Sequence, residues 1–118
     1  MTNISHHFAG TDGEVLVVQA PGELTHDSGE HLRRLVARHL PNRDRSACVL
    51  DMTHVGLISS IGITALLQIQ EFCTDRSAPI LLAGLPDRQR QFLRMLKLEQ
   101  RFAFSPGVDD AIIELGRA

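Results

Sequence analysis

The segment Ala47-Cys48-Val49-Leu50-Asp51-Met52-Thr53-His54-Val55-Gly56-Leu57-Ile58-Ser59-Ser60-Ile61-Gly62-Ile63 passes from a nearly unbroken apolar run, through a loop, to a pair of hydroxyls. A short apolar run of this kind reads as a strand covered on both faces, so Ala47 to Met52 is predicted as the heart of a sheet. After the serines, Ile61, Ala65, Leu66, Ile69 and Phe72 recur at helical spacing, which predicts a helix over 61–72 ending near Asp75 to Ser77. Thr53 to Ser59 joins the two. In open α/β sheets, functional groups gather beyond the carboxyl ends of strands, where loops lead into helix starts. The serine pair stands at such a place.

Upstream, Glu14 to Ala20 is a β-branched run closed by Pro21 and Gly22, and His6 to Ala9 can pair with it through the turn at Thr11, Asp12 and Gly13. A helix is predicted from Asp27, with Glu30 three residues on as a capping-box partner, through Leu32, Leu35, Val36 and Leu40 to the stop at Pro41. Downstream, Pro79 to Ala83 reads as a second buried strand and Asp87 to Leu98 as a third helix. Phe102 to Phe104 reads as a short edge strand. Val108 to Leu115 is a final helix, with Asp109 and Asp110 placed where negative charge suits the helix dipole. Strands alternating with helices imply crossovers over a mainly parallel sheet, with the opening hairpin as its antiparallel member.

The chain has 118 residues, 43% hydrophobic and 22% charged, which suits one globular domain spanning 1–118. A formal charge of -2 leaves no excess of cations for phosphate backbones, so direct nucleic-acid binding is not expected. Met1 to Gly10 lack the cationic start and apolar run of a signal peptide. Asp51, His54, Gln68, Glu71 and Asp75 interrupt the most hydrophobic region, so no membrane insertion is expected. Cys48 and Cys73 form no CxxC pair and read as reduced, mostly buried fillers, with a redox role as the minor alternative.

Two readings fit Ser59 and Ser60. Either hydroxyl can be a helix N-cap, satisfying a free backbone N–H for about 1 kcal/mol. A serine at a helix start also sits where unpaired N–H groups and the dipole favour an anion, and a phosphate there adds charge that can break an apolar interface.

On these residues, the sequence resembles STAS-domain proteins of the anti-sigma factor antagonist type. Pro21-Gly22-Glu23-Leu24 is similar to the family's pGELD, Leu50-Asp51-Met52-Thr53-His54-Val55 to its LDLsgV, and Ser59-Ser60-Ile61-Gly62-Ile63 to its DSSGL. Ile80-Leu81-Leu82-Ala83-Gly84, the helix ending Leu96-Lys97-Leu98, then Phe104 and Asp110-Ala111 agree in order and spacing. Ser59 replaces the family's acidic residue, Ile61 its second serine, and Thr25 the Asp of pGELD.

The resemblance implies a small STAS-like α/β fold, a mixed, mainly parallel sheet of four to five strands with about four helices. It implies partner switching in transcription regulation: the unphosphorylated antagonist captures an anti-sigma factor that is also a serine kinase, and phosphorylation releases it. Ser60 matches the phosphoacceptor, with Ser59 the second candidate. Gly22, Glu23, Leu24, Thr25, Ser59, Ser60, Ile61, Gly62 and Ile63 are the implied partner-binding residues. The chain is then a cytoplasmic binding protein with no enzymatic activity, cofactor or metal, and homodimerisation stays open. The alternative is a STAS adaptor that never carries phosphate, a transporter- or stressosome-associated scaffolding subunit.

Other constellations carry less. Ser60-Ile61-Gly62 is the back half of a GxSxG elbow with Asp51 and His54 close by, but Ile58 stands where the front glycine belongs. His26, His31 and His39 lack HExxH spacing, and the adjacent His6 and His7 would point to opposite faces of a strand. Arg88, Arg90, Arg94 and Lys97 read as a solvated helix face or the rim for an acidic partner, and Met95, Leu96 and Leu98 as core.

Overall fold

The computed structural model describes residues 4–117, so Met1 to Asn3, the start of the segment expected to carry no export signal, lie outside it along with Ala118. The expected hairpin is present: β1 (His6–Ala9) runs antiparallel to β2 (Val15–Gln19), with Ala9 opposite Val15. Its turn places Gly10 and Gly13 at φ +90° and +68°, a region that a side chain rarely adopts. There follow β3 (Glu23–Leu24), α1 (His26–His39), β4 (Ala47–Asp51), β5 (Leu57–Ile58), α2 (Ser60–Asp75), β6 (Ile80–Ala83), α3 (Asp87–Met95), a 3-10 turn (Glu99–Arg101), β7 (Ala103–Ser105) and α4 (Val108–Glu114).

The main sheet has five strands in the order β1-β2-β4-β6-β7, all parallel except β1. Strand β4 is its centre, as the apolar run predicts. Alternation along each strand divides the core. Leu16, Val18, Cys48, Leu50 and Leu82 face α1, α2 and α3, meeting Leu32, Val36, Leu66, Ile69 and Leu93. Val15, Val17, Ala47, Val49, Leu81 and Ala83 face α4 through Ala111. Fully burying one such aliphatic side chain contributes about 1.5–3 kcal/mol, which outweighs the weak helix propensity of the isoleucines and glycine that open α2.

Several local expectations change. The N-cap of α1 is Thr25, two residues before the predicted cap Asp27, and the helix begins at His26. Ser28, not Glu30, closes the turn: its hydroxyl accepts from the Thr25 N–H at 2.9 Å and donates to the Glu23 carbonyl at 2.7 Å. Glu30 instead pairs with Arg33 and Arg34. Residues 53–59 are not all loop, because β5 pairs in parallel with β3 to make a second, two-stranded sheet.

Helix α3 stops at Met95, and Lys97 turns the chain at φ +60°. Met95 and Leu96, read as core, therefore project outward at 79% and 46% exposure, and only Leu98 returns to pack on the core. The basic face of α3 is half satisfied from within. Arg90 and Arg94 share Glu99, Arg90 lies 4.2 Å from the Phe104 ring centroid, and the two cations hold the Glu99 carboxyl below its usual range. Both cysteines are free and buried, and the adjacent Cys73 thiol, with burial, holds the Cys48 thiol well above its usual range.

Candidate functional site: the serine pair and the β3–β5 sheet

The two serines divide the two roles the sequence left open. Ser59 is the N-cap of α2: its Oγ accepts from the Gly62 N–H at 3.0 Å, and its carbonyl from the Ile63 N–H at 3.0 Å. Ser60 is the first helical residue, and its side chain is exposed to solvent. Its hydroxyl is left over for chemistry or contact because the neighbour already caps the helix. No acidic side chain lies in the first turn of α2, so the positive end of its dipole is uncompensated there.

The β3–β5 sheet brings the two sequence-predicted clusters together. Glu23 stands opposite Leu57 and Leu24 opposite Ile58, while the Ser59 N–H donates to the Leu24 carbonyl at 2.9 Å. The Gly56 N–H donates to the Gly22 carbonyl at 2.8 Å. Gly22–Thr25 and Ser59–Ile63 thus form one surface, although more than thirty residues separate them in the chain.

Gly62 is required by close approach: a methyl there would lie 2.1 Å from the Leu24 carbonyl oxygen. The starts of α1 and α2 are also in contact, because a methyl on Gly29 would lie 2.8 Å from Ala65 Cβ.

Not every candidate faces outward. Leu24, Gly62 and Ile63 are buried and shape the surface from beneath. Glu23, Gly22, Ser60 and Ile61 are exposed, and Thr25 and Ser59 are half-buried caps. Leu57 at 50% and Ile61 at 57% exposure are large apolar side chains flanking Ser60 in the chain.

Beside them, Leu57, Ile58, Arg88, Gln89 and Phe92 line a cavity of about 350 Å³ between β5 and α3. Gln89, 6% exposed, donates to the Gly56 carbonyl at 2.9 Å and so ties α3 to the loop before the serines. No local pattern pairs residue 57 with residues 89 and 92, so the sequence alone does not assign Leu57, Gln89 and Phe92 to a site. Asp51 is engaged locally, accepting from the backbone N–H and hydroxyl of Thr53 at 3.1 and 2.5 Å. Among the described residues no hydrogen bond joins Ser60 to His54 or Asp51.

Comparison with known proteins places the chain in a family. The STAS domain model matches residues 9–111, and the chain belongs to that family. Three solved structures share the fold. A sulfate transporter family protein from Wolinella succinogenes superposes with TM-score 0.75 at 21% identity, over 87% of this chain and 85% of that one. An anti-sigma factor antagonist from Mycobacterium paratuberculosis gives TM-score 0.69 at 22% identity, over 97% and 95%. The anti-sigma factor antagonist SpoIIAA in its unphosphorylated form gives 0.72 at 14% identity, over 95% and 96%. No described helix is long and apolar enough to cross a membrane.

Proposed function

We propose that this STAS domain, taken as one unit over 1–118, is a cytoplasmic anti-sigma factor antagonist that acts by binding and not by catalysis. Unphosphorylated, it captures an anti-sigma factor with serine kinase activity; a phosphate on Ser60 releases it. The observation that carries this reading is the division of labour at α2. Ser59 is spent on the cap, so Ser60 can gain or lose a phosphate without unmaking the helix start. A phosphoryl group adds about -1.5 to -2 charge beside Leu57 and Ile61, and that charge opposes an apolar partner by desolvation. Local engagement of Asp51 by Thr53 supports binding over a nucleophile–base constellation.

The similarity to a transporter-family protein, with Ser59 and Ile61 standing where the family motif has an acidic residue and a serine, favours a second reading. In it, the domain is a constitutive scaffold that is never phosphorylated. Intact-mass measurement on protein from its native cells, with capture by wild type, Ser60→Ala and Ser60→Asp, separates the two. The switch requires a phosphoserine mapped to residue 60, capture by Ser60→Ala and none by Ser60→Asp. No phosphate and equal capture by all three would leave the scaffold.

A further inference from the structure

We propose that this protein self-associates head to tail, with the outer face of α4 on one copy docking on the groove between β5 and α3 of the next. The groove floor is apolar, formed by Leu57, Ile58 and Phe92. The one charged side chain lining it is Arg88, which is exposed and has no ion pair among the described residues.

Helix α4 offers the complement. It packs on the sheet through Ala111, with Val108, Ile112 and Leu115 beside it, and presents Ile113 at 63% exposure. Asp109 and Asp110, one turn earlier on the same helical face, and Glu114 are exposed and likewise have no ion pair among the described residues. An apolar anchor ringed by carboxylates thus matches an apolar groove rimmed by a cation.

Geometry fixes the mode. Helix α3 packs on one face of the main sheet and α4 on the other, so the two surfaces cannot meet within one copy. Neither complements itself: two grooves set Arg88 against Arg88, and two α4 faces set carboxylates against carboxylates. The contact is therefore heterologous, and such contacts build open chains unless the rotation closes a ring. One isoleucine anchor and a few exposed charges make a weak contact, which becomes visible at high concentration. Self-association by this route does not depend on phosphorylation of Ser60.

Sedimentation velocity on the full chain, from micromolar to millimolar protein at low salt, tests it. The weight-average mass should climb past that of a dimer, and added salt should lower it. Arg88→Glu disables the groove and Ile113→Lys disables the helix. Both side chains are exposed, and matching thermal melts verify that the folds are intact. Each variant alone should associate at least about tenfold more weakly. Their equimolar mixture should form a heterodimer that grows no further, because it retains one working groove and one working helix. A wild-type mass that stays monomeric throughout, a dimer indifferent to both variants, or a mixture no heavier than its components would overturn the proposal.

Discussion

Gly62→Ala tests the geometry on which the serine pair depends. The added methyl would meet the Leu24 carbonyl oxygen at 2.1 Å and its carbonyl carbon at 2.8 Å, where ordinary contact begins at 3.4 Å. Both atoms are backbone, so no side-chain rotation relieves the overlap, and the start of α2 must part from β3 by more than an ångström. Overpacking of this kind costs about 1–3 kcal/mol. The separation also stretches the 2.9 Å bond from the Ser59 N–H to the Leu24 carbonyl, for about 1 kcal/mol more.

The expected total is about 2–4 kcal/mol, or roughly 8–16 °C in Tm for a domain of this size. Urea unfolding followed by circular dichroism reads the free energy. Hydrogen exchange locates it: the Ser59 amide should lose protection, while those of β2, β4 and β6 keep theirs. Gly56→Ala is the control, because its methyl would come no closer than 3.8 Å to the Gly22 carbonyl oxygen. If Gly62→Ala cost no more than Gly56→Ala and left Ser59 protected, the close approach of α2 to β3 would be refuted.

Two further outcomes follow from the same structure. Ser59→Ala removes the α2 cap and should cost about 1 kcal/mol in thermal or urea unfolding, whereas Ser60→Ala, at an exposed position, should stay within about 0.5 kcal/mol; equal costs would contradict the assignment of the cap. His39 is held below its ordinary pKa of 6.5 by burial first, then by His6, whose ring stacks on it at 4.2 Å, and by Arg38. The unfolded chain therefore binds this proton more tightly than the fold. Stability is fully present above that ordinary value and declines as pH falls through the lowered one. Thermal melts at pH about 7.5 and about 5.5 should show a smaller decline for His39→Gln than for wild type.

Much of the fold was legible because both kinds of periodicity are strong in this chain. The apolar run at Ala47 to Asp51 can only be a central strand if both of its faces are covered, and they are. The spacing of Ala65, Leu66 and Ile69 likewise belongs to a helix with one buried face. Boundaries were less legible where a competing contact decides them. Ser28 reaches back to the Glu23 carbonyl and moves the start of α1 upstream. Met95 and Leu96 continue an amphipathic pattern after the helix has already turned away.

The amino-acid sequence alone carried the family motifs, the order of the main-sheet strands and the four helices, and the hydroxyl pair at the start of α2, because each is set by residues close together in the chain. Which serine caps and which is exposed was decided only in three dimensions. So was the joining of Gly22–Thr25 to that start, through a two-residue sheet too short to leave a pattern. The groove between β5 and α3 lies further still from any sequence signal. It exists because Gln89 holds a helix against a loop thirty-three residues earlier, and no periodicity reports a contact of that length.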